Sequence, residues 1–123
     1  MTIAQAIAKI NSLKPNSYSD EEKIGWLSEL DKRIKEEIID THEGSEKVVF
    51  DGYTADTSVA TNLLVPAPHD DLYIYWMESK IDYWNGETNR FNNSVSMFNA
   101  TYSEYARHYN RTNMPKGRNL KFF

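Results

Sequence analysis

Three histidines, His42, His69 and His108, are the residues best suited to metal or acid–base chemistry, and they stand far apart in the chain. A metal site needs three or four such donors to converge. The carboxylates at suitable spacing are Glu104, four residues before His108, and Glu46, four after His42 and across a break at Gly44. The Glu-x-x-His pair that marks di-iron helical bundles is missing. His42 and His108 fall where helix C-termini are predicted, a position the helix dipole favours for a cation. Asp70, Asp71, Glu78 and Asp82 gather on one predicted helix, with Glu78 and Asp82 a turn apart on one face. Such a pair could serve general acid–base work, but acid at a helix start and ordinary surface charge account for all four. The chain has no cysteine, so thiolate chemistry and disulfides are excluded. There is no nucleophile elbow, phosphate loop, Rossmann glycine set or zinc spacing. The expectation is therefore a chain without catalytic residue, metal or cofactor, and not an enzyme.

Charge is more informative than chemistry. From Tyr105 onward there is no acid, and the bases are Arg107, Arg111, Lys116, Arg118 and Lys121. All 18 acids and the other nine bases precede Tyr105, so the body carries −9 and the segment +5, which together give the net −4. Such a segment can meet the oppositely charged body of a neighbour. It also ends in Leu120-Lys121-Phe122-Phe123, apolar side chains that a solvated end does not need. Three readings are open: a solvated end, a protein-docking arm and a nucleic-acid contact. The Phe pair favours docking, because burying a ring contributes about 2 kcal/mol. The acidic total argues against nucleic acid as principal partner.

These residues need elements to position them. With 123 residues, 40% hydrophobic and 26% charged, the chain fits one globular domain rather than the disordered class. No apolar run is long enough for a bilayer. The first residues lack a signal-peptide pattern, so the sequons at Asn92, Asn99 and Asn110 carry no weight. Thr2 and Gln5 form a capping box for a first helix whose stripe is Ile3, Ile7, Ile10 and Leu13, stopped at Lys14-Pro15. Ser19 to Glu22 open a second helix with stripe Ile24, Leu27, Leu30, Ile34 and Ile38; the charged residues 29, 31–33 and 35–37 read as its solvated face. A third helix from near Pro68 is apolar nearly all round, through Tyr73, Trp76, Met77, Ile81, Tyr83 and Trp84, as in a bundle centre or an oligomer interface. Asn85-Gly86 marks a break, read as a tight turn between antiparallel helices, with a kinked continuation as the alternative. The fourth helix carries a seam of Phe91, Val95, Phe98, Tyr102, Tyr105 and Tyr109, whose three-and-four spacing suits shallow helix crossing. The aromatic stripe could also suggest a base-stacking platform, although its helical spacing favours core or interface.

Between the second and third helices, from Ser45 to Pro68, the helical period disappears. Val48-Val49-Phe50 followed by Asp51-Gly52 reads as a weak hairpin within a long extended excursion. Its apolar residues lack a clear buried face, so the segment is expected to lie off the core and contact partners. The fold expected is all-α, a four-helix bundle-like domain over residues 1–112 with this loop at 45–68 and a basic C-terminal tail at 113–123. The expected partner-binding residues are Val49, Tyr53, Leu63 and Leu64 in the loop and Arg111, Lys116, Arg118, Lys121, Phe122 and Phe123 in the basic segment.

Several stretches together carry a family likeness: Leu13-Lys14-Pro15-Asn16, Trp26 to Asp31, Asp40 to Gly44, Leu63 to Pro68 running into Asp70 to Tyr73, Tyr83 to Glu87, and Tyr109 to Gly117. On these the chain resembles small tailed-phage and prophage proteins of Firmicutes of the head–tail connector, or adaptor, type. The resemblance covers most of the chain, with structural rather than catalytic motifs. It implies a helical bundle that forms a ring between portal and tail, in the host cytoplasm during assembly and then in the virion. The expected partners are copies of itself, portal and tail-completion proteins, with no membrane and only incidental nucleic acid. The rival expectations are a helical adaptor that binds one protein without forming a ring, and an enzyme built on a helical bundle.

Overall fold

A computed structural model describes residues 1–116. Helix α1 spans Ile3–Leu13, α2 Asp20–Glu37, α3 Asp71–Trp84 and α4 Thr88–Thr112, with short 3-10 turns at Ile39–Thr41 and Ser45–Lys47. Among the described residues no strand forms, and the architecture is all-α. Helix α3 is central, packing on α1, α2 and most extensively on α4. The core is built from the expected stripe of α2 and from Ile3, Ile7 and Ile10 of α1, together with Leu72, Tyr73, Met77 and Ile81 of α3, whereas Leu13, expected on the α1 stripe, is exposed at the helix end.

The helix ends follow from local chemistry. At α1 the capping box closes both ways, Gln5 N donating to Thr2 Oγ1 at 3.1 Å and Thr2 N to Gln5 Oε1 at 2.9 Å. At α2 Ser19 Oγ accepts from the Glu22 amide at 3.1 Å, beneath three first-turn acids that suit the dipole. The α3–α4 turn is a Schellman closure: Gly86 N donates to Tyr83 O, Glu87 N to Asp82 O, and Gly86 takes φ 74°. Asn85-Gly86 thus makes the helix–helix turn the sequence called for.

Two expectations change. The 45–68 excursion contains no hairpin, and it does not lie off the core. Tyr53, Leu63 and Val65 are buried in the central cluster. The loop's backbone also completes α1: Ile3 N donates to Thr61 O at 3.0 Å and Ala4 N to Val59 O at 2.9 Å. Amides at a helix start have no partner within their own helix, and here the loop supplies the acceptors. The second change concerns α4. Its seam does face the body, but only Phe98 and Tyr105 of the seam are buried, while Phe91, Val95, Tyr102 and Tyr109 remain half-exposed.

Candidate functional site

Buried acids are the natural place to look for chemistry, and here they are bound into structural networks. Asp31, fully buried on α2, accepts from Tyr53 Oη at 2.5 Å, Tyr73 Oη at 2.6 Å and the Leu64 amide at 3.1 Å. Tyr73 Oη in turn accepts from Val65 N at 2.8 Å. One carboxylate thereby ties α2, α3 and the loop together. Burial pushes the Asp31 pKa up, and the three hydrogen bonds pull it back; burial and the Asp31 charge push both phenols up. Asp82, also fully buried, takes Lys14 Nζ at 2.5 Å and Ser94 Oγ at 2.8 Å, which joins α1, α3 and α4. Glu78, on the same face as Asp82, is half-buried, and desolvation raises its pKa. Of the pair singled out in the sequence, Asp82 is thus held by Lys14 and Ser94 and sealed from solvent.

The histidines also divide by environment. His42 is buried: Nδ1 donates to Ile38 O at 2.6 Å, Nε2 meets the Asn110 side-chain amide at 2.7 Å, and the ring lies edge-on to Tyr109 at 4.7 Å. It clamps the end of α2 to the end of α4, a role a dipole argument alone could not give. His69 and His108 approach each other with ring centroids 4.6 Å apart, a pairing the sequence did not suggest. Among the described residues no group of three or more His, Asp or Glu could hold a metal ion.

The surface offers more than the interior. Trp76, Ser79, Lys80, Tyr83 and Trp84 of α3 and Phe91 and Val95 of α4 line an open groove of about 260 Å³. Tyr83 is 59% and Trp84 63% exposed. Their rings pack edge-on at 5.2 Å, and Tyr83 also lies 5.7 Å from Phe91. Lys80 Nζ sits 4.6 Å over the Trp76 ring and pairs with Glu29 at 3.3 Å. The spacing 76–80–83–84 presents one face of α3, and residues 91 and 95 continue it across the turn. Aromatic side chains at such exposure are what protein interfaces bury.

This groove occupies one end of the molecule. Tyr18 Oη donates to Asn85 Oδ1 at 2.7 Å, which sets the start of α2, with exposed Asp20, Glu21 and Glu22, beside the α3–α4 turn. The basic segment leaves from the other end. Glu43 N donates to Met114 O at 2.8 Å and Lys116 N to Thr41 O at 2.9 Å, so residues 114–116 lie against the end of α2 rather than apart from the body. Arg107, Arg111 and Lys116 are exposed there and form no ion pair among the described residues.

The expected partner-binding residues separate accordingly. Arg111 and Lys116 are exposed, and Val49 is 81% exposed. Leu64 is half-buried in a second groove with Ile39, Val48, Pro66, Tyr105 and Tyr109, near the basic end. Tyr53 and Leu63 are corrected to core residues: the Tyr53 hydroxyl is drawn inward by Asp31, and Leu63 is pinned by its amide to Met1 O at 3.0 Å. Arg118, Lys121, Phe122 and Phe123 lie outside the described residues. The aromatic groove was missed as a site, although Tyr83-Trp84 at a helix end next to Asn-Gly was a visible signal. No helix among the described residues is long and apolar enough to cross a membrane. Compared with known proteins, the chain matches no family model, no curated protein and no solved structure.

Proposed function

We propose that this chain is a structural assembly subunit of the tailed-phage head–tail connector type, forming a homo-oligomeric ring and meeting portal-side and tail-side neighbours. In this reading it acts in the host cytoplasm during assembly and then within the virion, as a scaffold and not as an enzyme. The observation that carries the proposal is the aromatic groove of Trp76, Tyr83, Trp84 and Phe91, open to solvent at one end of a body whose buried acids are engaged in structural hydrogen bonds. The resemblance stated above supports it from a second side. Its Tyr83–Glu87 stretch contributes to the groove and turn, and its Leu63–Pro68 and Tyr109–Gly117 stretches contribute Leu64, Pro66, Tyr109 and Asn113 to the second groove. Two different patches at two ends suit a heterologous contact, the kind that closes rings.

The test is light scattering and negative-stain electron microscopy on the purified chain, alone and co-expressed with a portal protein. Closed rings in either sample would bear the reading out. A 14.3 kDa monomer under all these conditions, carrying one protein in a fixed ratio, would replace it with the single-partner adaptor.

A further inference from the structure

Resting on that reading, we infer that the aromatic groove is filled by a second copy of this chain, through its segment Arg118-Asn119-Leu120-Lys121-Phe122-Phe123. Fit is the first argument. A cavity of about 150 Å³ accommodates a benzene ring, so the groove's 260 Å³ has room for one Phe ring and part of its neighbours. Aromatic faces also attract cations, as Lys80 over Trp76 illustrates within the groove. A peptide that combines Leu120, Phe122 and Phe123 with Arg118 and Lys121 satisfies both preferences.

Charge is the second argument. Asp20, Glu21 and Glu22 flank the groove end, where the bases Lys80 and Arg90 are paired with Glu29 and Glu87, whereas Arg107, Arg111 and Lys116 stand at the end from which the segment departs. Glu43 and Glu46 share that basic end, and Lys47 offsets one of them. Head-to-tail stacking brings unlike charges together at each junction.

Reach decides between the same chain and its neighbour. Lys116 is held by Thr41, beside the His42–Asn110 contact. From Asn110 back to Phe91 is 19 residues of α4, or about 28 Å at 1.5 Å per residue. Phe123 lies seven residues beyond Lys116, so full extension carries its backbone about 24 Å. That stops short of Phe91, and only a fully stretched chain brings its ring to the near edge of the groove. A neighbouring copy reaches Tyr83, Trp84 and Phe91 without that stretching, which makes it the better-placed occupant.

The experiment mixes two full-length variants, each first checked for wild-type circular dichroism. One is Tyr83→Ser with Trp84→Ser, which blocks the groove; the other is Phe122→Ser with Phe123→Ser, which blocks the segment. Each alone should associate at least tenfold more weakly than wild type by light scattering. Mixed one to one, they should form a heterodimer and stop there, because only one intact groove–segment contact remains. Variants that assemble like wild type, or a mixture that stays monomeric while wild type assembles, would overturn the inference and leave the assembly reading standing. A wild-type chain that never self-associates would end both.

Discussion

Asp31 sits on the 24–27–31–34–38 spacing that continues the buried stripe of α2. The sequence reading placed it with its charged neighbours Lys32 and Arg33 on the solvated face, because residue type outweighed position. The three-and-four spacing was the signal that could have corrected this. Its three donors come from residues 53, 64 and 73, too distant in the chain for local pattern to pair them. Asp31→Ala leaves Tyr53 Oη, Tyr73 Oη and the Leu64 amide without their acceptor, and is expected to cost about 3–5 kcal/mol. Tyr53→Phe removes one donor and should cost about 1–2 kcal/mol. Urea unfolding measures both; a loss below about 1 kcal/mol for Asp31→Ala would mean that the network is not holding the loop.

Elements were legible where a single period governs them. The helix stripes, the Thr2–Gln5 box and the Asn85-Gly86 turn each depend on residues within a few positions. The 45–68 loop was misread because it is held by tertiary partners, Asp31 and the α1 amides, that no local period records. Replacing residues 49–62 by a Gly/Ser linker is therefore expected to abolish the cooperative melt, since Tyr53 and the acceptors for Ile3 and Ala4 go together. A deletion that melts like wild type would return the loop to the surface. Helix α4 differs along its length: Phe98→Ala should cost about 3–5 kcal/mol and the half-exposed Tyr102→Ala about 1–2 kcal/mol in thermal melts. Tyr102 also fastens α4 to α2. Its Oη donates to Glu37 Oε1 at 2.7 Å, Arg33 Nε donates to the same oxygen at 3.0 Å, and the guanidinium lies 4.7 Å over the Tyr102 ring. The Tyr102 bond first, then Arg33, holds the Glu37 pKa below its ordinary 4.5. A depressed carboxyl stabilises the fold above the unfolded value and loses that contribution as pH falls through the folded one. Because Glu37 is exposed, the effect should stay under about 1 kcal/mol. Melts at about pH 6 and about pH 3 should differ less in Tyr102→Phe than in wild type, and equal differences would remove the clasp.

At the scale of the whole molecule, the body's −9 and the segment's +5 were plain in the sequence, but the placement of Asp20–Glu22 at the end opposite Lys116 needed the fold. That polarity separates two contributions to self-association. Charges more than about 8–10 Å apart are largely screened at physiological ionic strength, so charge should govern encounter and fade with salt, whereas ring burial should persist. Lys116→Ser, Arg118→Ser and Lys121→Ser combined should therefore flatten the dependence of Kd on salt. Phe122→Ser with Phe123→Ser should instead weaken binding by a similar factor at low and high salt. Sedimentation equilibrium at about 50 mM and about 500 mM NaCl, a span across which the screening length falls from beyond 10 Å toward 3 Å, distinguishes the two patterns. If the triple substitution left the salt dependence unchanged, the unlike ends would not be what brings the copies together, and the groove would have to align them by shape alone.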